Sequence, residues 1–177
     1  MPNYRRNYVR GGSYFFTVVT AGREPILATE RSRAMLRKAI RSVLAKHPAS
    51  IEAIVLLLDH LHAIWALPAG DANFPLRWSL IKSGFTRGLA GNAPRTPSKI
   101  AKRERGLWQR RYWEHAICDD ADLVRHIDYV HFNPVKHGLV SRVCDWPHSS
   151  FKNYVARGIL PQDWGGDVGE MMGSFGE

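Results

Sequence analysis

Ile51-Glu-Ala-Ile-Val-Leu-Leu-Leu-Asp-His-Leu-His-Ala-Ile-Trp-Ala-Leu67 is the most apolar run in the chain, and it carries a polar Asp59-His60 pair near its middle. It is too long for one average strand, so it predicts two antiparallel strands joined by a tight turn or bulge near Leu58 to His60. Side chains alternate across a strand, which sends His60 and His62 to one face and Leu61 and Ala63 to the other. Two imidazoles side by side are half of a metal site. The competing reading, two core histidines satisfied by hydrogen bonds, stays open on these residues alone. The best source for the missing half is Tyr129-Val-His-Phe-Asn133, where a phenol and an amide fall four residues apart on one helical face.

Working outward, Ser13-Tyr-Phe-Phe-Thr-Val-Val-Thr20 follows Gly11-Gly12 and is aromatic and β-branched throughout, the composition of a strand. From Thr29 to Lys46, Met35, Leu36, Ala39, Ile40, Val43 and Leu44 recur at helical spacing, and His47-Pro48 ends the helix. His47 reads as a polar helix terminus and not as a ligand. Phe74 to Leu89 suggests a second helix with Leu76, Trp78, Leu80, Ile81, Phe85 and Leu89 inside and Lys82 and Arg87 outside, although Gly84 and Gly88 weaken it. Leu107 to Ile117 reads as a further strand with its approach. Asp119-Asp120 can cap a helix over Ala121 to His131, with Leu123, Val124, Ile127 and Val130 as its apolar stripe and Asn133-Pro134 closing it. His126, Tyr129 and Asn133 share one line of that helix. Asp145 to Tyr154 reads as a packed loop entering a short helix.

The chain has 177 residues, a single-domain size able to bury a substantial core. No run approaches the roughly 18 apolar residues of a membrane span, and the basic N-terminus lacks the apolar core of a signal peptide, so a cytoplasmic, nucleoid-associated protein is expected. Cys118 and Cys144 have no Cys-x-x-Cys spacing and imply neither a disulfide framework nor a zinc knuckle. Lys plus Arg number 25 against 16 Asp plus Glu, a net charge of +9 that favours a polyanionic partner.

Three segments stand apart from the core pattern. An N-terminal arm, residues 1–12, interleaves Asn3, Tyr4, Arg5, Arg6 and Arg10, guanidinium groups and rings suited to single-stranded nucleic acid or, equally, to a solvated terminus. Residues 90–106 form a basic loop rich in breakers. Residues 161–177 are acidic and glycine-rich and read as a flexible tail. Lys82, Arg110 and Arg111 complete the candidate DNA path, each with the alternative of an ordinary surface charge.

His60-Leu61-His62 has the His-hydrophobic-His form of the HUH endonuclease superfamily, and a single late Tyr129 resembles its one-tyrosine transposase branch. Asn3-Tyr-Arg-Arg, Asp59-His-Leu-His-Ala-Ile-Trp, Trp108-Gln-Arg-Arg-Tyr-Trp-Glu-His115 and His126-Ile-Asp-Tyr-Val-His-Phe-Asn-Pro-Val-Lys-His-Gly138 resemble the REP-associated tyrosine transposases. The likeness extends over nearly the whole chain, to Asp145-Trp-Pro and Asp163-Trp-Gly. It implies a single α+β domain with a ferredoxin-like HUH fold, a central antiparallel sheet with helices packed on it. It also implies a metal-dependent single-stranded DNA endonuclease acting at palindromic REP hairpins, with Tyr129 as nucleophile and His60, His62 and Asn133 as ligands of Mg²⁺ or Mn²⁺. His126 is a possible base. The arm would read guide bases, and the tail can lie across the site as an autoinhibitor.

Attack by Tyr129 would leave a 5′-phosphotyrosine and a free 3′-hydroxyl able to reverse the step. No phosphate-binding glycine loop is present, in keeping with chemistry that needs no nucleotide cofactor. A monomer is favoured and a dimer is possible. Two rivals are a hairpin-binding protein without catalysis and a metal phosphodiesterase that uses activated water.

Overall fold

The computed structural model describes residues 7–90 and 106–166. Asn3, Tyr4, Arg5 and Arg6, most of the 90–106 loop and the tail from residue 167 onward lie outside the described residues. The elements run β1 (Ser13–Val19), α1 (Glu30–Leu44), β2 (Ser50–Leu56), β3 (His60–Ala66), α2 (Phe74–Ala90), β4 (Trp113–Ala116), α3 (Asp120–Lys136) and α4 (Phe151–Ala156). The four strands form one sheet in the order β2-β3-β1-β4, with every pairing antiparallel. Two β-α-β units with β1 and β3 in the centre give the ferredoxin-like arrangement that the resemblance implies. Among the described residues, no helix is long and apolar enough to cross a membrane.

The apolar run 51–67 folds as the hairpin expected of it. Leu56 faces Leu61, and Leu57 N–H donates to the His60 carbonyl at 2.9 Å, leaving Leu58-Asp59 as the turn. The register irregularity lies between Ile51 and Ala53, away from the turn. Both faces of the sheet are covered, which explains why β3 is buried along nearly its whole length. Tyr14, Phe16, Val18, Leu61, Ala63 and Trp65 meet α1 and α2 on one face. Phe15, Ala53, Val55 and Ile64 meet Tyr129 and Val130 of α3 on the other.

Two expectations about α2 are corrected. Leu76 is 40% exposed, and the buried position beside it belongs to Arg77, which is 3% exposed. The Arg77 guanidinium donates to the carbonyls of His47 and Asn73, both at 3.0 Å, and pairs with Asp71 at 2.6 Å. A charge with that many acceptors can be buried, and it ties the end of α1 to the start of α2. Gly84 and Gly88 do not interrupt the helix. A Cβ at Gly84 would lie 3.6 Å from the Ala39 Cβ, and one at Gly88 would meet the flexible end of Met35, so α1 packs along this stretch of α2 and offsets the poor helix propensity of glycine.

α3 starts as expected, with the Asp119 side chain accepting from Asp122 N–H at 2.8 Å. It does not close at Asn133-Pro134. The helix runs through Pro134 to Lys136 and ends where Gly138, at φ 66°, lets Leu139 N–H reach the Pro134 carbonyl and Gly138 N–H reach that of Val135, both at 2.9 Å. Proline disfavours a helical residue before it without forbidding one. Burial of Tyr129, Val130, Asn133 and Pro134 against the sheet outweighs that preference. The described part of the tail is anchored, because the Trp164 ring packs 6.0 Å from that of Phe151.

On the far side of α3, His131 lies 3.0 Å from Ser150 Oγ and packs edge-on to Tyr154. It is fully buried, and burial pushes its pKa down to about 4. The folded protein therefore binds this proton less readily than the unfolded chain, and stability is full above pH 6.5 and declines as pH falls toward 4. The expected loss is roughly 3 kcal/mol. Urea unfolding across that range checks it, together with NMR titration of the imidazole; a folded-state midpoint near 6.5 would remove the basis for the effect.

Candidate active site

The pairing register explains how the two histidines are held. His62 sits opposite Thr17 of β1, and its Nδ1 lies 3.0 Å from Thr17 Oγ1. His60 opens β3, and its Nδ1 lies 2.5 Å from the carboxylate of Asp59 in the hairpin turn. Burial raises the pKa of that carboxyl, but hydrogen bonding to His60 and the nearby Arg23 guanidinium outweigh it, so Asp59 stands below the ordinary carboxylate value. Arg23 reaches it at 3.3 Å. The imidazoles share one sheet face, their centroids 5.0 Å apart and their planes at 84°.

α3 lies across this face. The Tyr129 ring is 5.2 Å from that of His62, and the His137 ring is 5.1 Å from that of His60. Positions 129, 133 and 137 are one helical turn apart, so Asn133 falls between these two contacts on the stripe that faces the histidines. Tyr129 is 1% exposed, and His60, His62 and Asn133 are buried with it. Lys136 Nζ donates to the Tyr129 hydroxyl at 3.1 Å and stands 4.8 Å from the ring centre.

His126, one turn before the tyrosine, is turned toward β4. Its Nδ1 lies 2.8 Å from the Asp122 carbonyl, and its ring stacks 4.7 Å from His115 and lies tilted 4.9 Å from Phe15. Burial lowers its pKa. Arg10, Arg110 and Arg111 are exposed, while Lys82 donates to the Gln109 carbonyl at 3.0 Å and lies over the Tyr112 ring.

No family model matches the chain. Individual proteins do. It is 44% identical over 168 residues to a REP-associated tyrosine transposase of Haemophilus influenzae, covering 94% of this chain and 95% of that one. It is 45% identical over 168 residues to the REP-associated tyrosine transposase of Escherichia coli K12, covering 95% and 93%. The chain belongs to the REP-associated tyrosine transposases. A solved structure of a REP-associated tyrosine transposase bound to a REP hairpin superimposes on 99% of this transposase and 96% of its own chain, with a TM-score of 0.82 and 42% identity.

Sequence reasoning brought His60, His62, Tyr129 and Asn133 together, and it missed the groups that hold them. Thr17, Asp59, Lys136 and His137 each touch one of the four or its histidine partner. Asp59, Lys136 and His137 lie inside the quoted motifs, where a signal existed. Thr17 is one of several strand threonines and polar positions whose partners only the register reveals.

Proposed function

We propose that this transposase cleaves and rejoins single-stranded DNA at a REP-type hairpin, with Tyr129 as nucleophile and His60, His62 and Asn133 as ligands of a divalent cation. The observation that carries this reading is the Tyr129 ring standing 5.2 Å from His62 on the face that also presents His60. The REP hairpin bound by the solved relative supports the substrate class. Because the phenol approaches the imidazoles of its own chain, the arrangement supports use of Tyr129 in cis.

The donor set fits a metal. Nδ1 of each imidazole is already engaged, by Asp59 in His60 and by Thr17 in His62, so ligation falls to Nε2. A carboxylate on the remote nitrogen is the usual outer-shell partner of a metal-bound histidine. Two imidazoles and an amide oxygen suit Mn²⁺ or Mg²⁺, with the nitrogens favouring manganese. When bound, the cation would supply Lewis-acid stabilisation of charge on the phosphate.

The chain's own groups set up the displacement. Lys136 holds the Tyr129 oxygen by a hydrogen bond. That oxygen gives up its proton as it attacks phosphorus, the bond from phosphorus to the 3′ oxygen breaks, and the leaving oxygen takes up a proton as a 3′-hydroxyl, so no net proton is consumed. The phosphotyrosine keeps the ester, so the hydroxyl can attack it in reverse and rejoin strands without a nucleotide cofactor. Incubation with labelled hairpin DNA and Mn²⁺ should give a denaturation-resistant protein–DNA adduct; free products with no adduct would reject the reading.

Asp59→Asn tests the outer shell. Loss of the carboxylate on His60 should raise the Mn²⁺ concentration for half-maximal adduct formation by about 10–100-fold, with activity recovering at high metal. An unchanged metal requirement would place Asp59 in a purely structural role.

A further inference from the structure

A second group of ligand types lies at the other end of α3. His115 on β4, Cys118 in the turn after it and Asp122 in the first turn of α3 offer an imidazole nitrogen, a thiol and a carboxylate, with the ligand atoms all within 4.8 Å of one another. This group is distinct from the histidine pair. The Phe15 ring stands between them, 5.4 Å from His62 and 4.9 Å from His126, and His126 in turn stacks on His115.

We propose that His115, Cys118 and Asp122 form a second metal site, selective for zinc and separate from the cation of strand cleavage. The donors decide the selectivity: a thiolate with an imidazole and a carboxylate suits Zn²⁺ and not Mg²⁺ or Mn²⁺. Three protein ligands leave a fourth position for water.

The site needs little rearrangement. His115 Nε2 and Asp122 Oδ2 are already 2.8 Å apart, and Asp122 Oδ2 also accepts the Cys118 N–H at 3.0 Å. Ligand atoms around tetrahedral zinc lie roughly 3.3–3.7 Å apart, so closure moves the farthest atoms by about 1 Å. Cys118 is exposed, and its thiol donates only a long contact to the Ala116 carbonyl, 3.5 Å, so it can swing inward. Asp122 is ready as an anion. Burial pushes its carboxyl up, but the Cys118 N–H, His115 and His126 together bring it to about 2. Arg125, 3.3 Å from Asp122 Oδ1, is half exposed and stands at the rim.

Binding exchanges the His115–Asp122 hydrogen bond for two metal bonds, moves the His115 proton to Nδ1 and releases the Cys118 thiol proton to solvent, one proton per zinc. Zinc would thereby clamp the end of β4 to the first turn of the helix that carries Tyr129.

Co²⁺ titration of the full chain in a Cys144→Ser background, where Cys118 is the remaining thiol, tests this. The expected result is one equivalent of Co²⁺ with a thiolate-to-cobalt charge-transfer band, displaced by Zn²⁺. Zinc should also slow the reaction of Cys118 with a disulfide reagent by at least about tenfold. His115→Asn should weaken the band, whereas a His60→Ala, His62→Ala variant should keep it, which separates this site from the catalytic proposal. Absence of the band, or its loss in the latter variant with retention in His115→Asn, overturns the assignment.

Discussion

Tyr129→Phe is expected to form no covalent adduct with hairpin DNA while binding that DNA nearly as well as the parent. Phenylalanine keeps the ring that packs 5.2 Å from His62 and 5.9 Å from Phe15, so the core on this face of the sheet retains its shape. What disappears is one oxygen and its hydrogen bond from Lys136. A nucleophile that forms the intermediate cannot be replaced by a group unable to form it. A structural hydroxyl would cost only about 1 kcal/mol of stability and leave cleavage intact. Denaturing electrophoresis of labelled DNA, set beside a hairpin-binding isotherm, measures both quantities. Cleavage at the parental rate in Tyr129→Phe would favour attack by water, and loss of binding in step with cleavage would point to misfolding.

His62→Ala should reduce adduct formation by roughly 10²–10³-fold, the scale for removing a principal stabiliser of transition-state charge. The residue is fully buried between Thr17, Phe15 and Tyr129, so truncation also opens a cavity at a stability cost of roughly 2–4 kcal/mol. The two effects separate because the first is read as adduct yield from folded protein and the second as a fall in melting temperature. The variant should fail to recover at high Mn²⁺, although Asp59→Asn does. A thermal melt and a hairpin-binding measurement establish that the remaining protein is folded. Thr17→Val provides a milder comparison: the ring stays in place and loses one hydrogen bond, so a smaller fall is expected. Parental adduct yield in folded His62→Ala would exclude that imidazole from the site.

The same two variants divide the rival readings. A hairpin-binding protein without catalysis forms no adduct before or after either change. A water-using phosphodiesterase loses activity with His62 and keeps it with Phe at 129.

Much of this arrangement was legible in the chain, because it follows from local backbone periodicity. Alternation along β3 puts His60 and His62 on one face whatever surrounds them, and the helical repeat lines up Tyr129 and Asn133 whatever they pack against. Asp119 caps its helix for an equally local reason, a side-chain oxygen within reach of free amides. The apolar pattern of 51–67 even located its own turn, since Asp59 interrupts it.

Which face of the sheet receives α3 was a matter for the tertiary structure alone. Both faces of β3 are apolar enough to be buried, so nothing in the alternation says whether Tyr129 meets His62 or Leu61. The separation of 45 positions from Thr17 to His62, and the still longer one from His62 to Tyr129, are bridged by strand register and helix packing. Such contacts arise from the folded whole, where close packing selects one mutual placement of elements. The same cause turned Arg77 inward in place of Leu76, because four acceptors from the loop after α1 and the loop before α2 converge there only after folding. It carried α3 through Pro134, where burial of a whole stripe overruled a dipeptide preference.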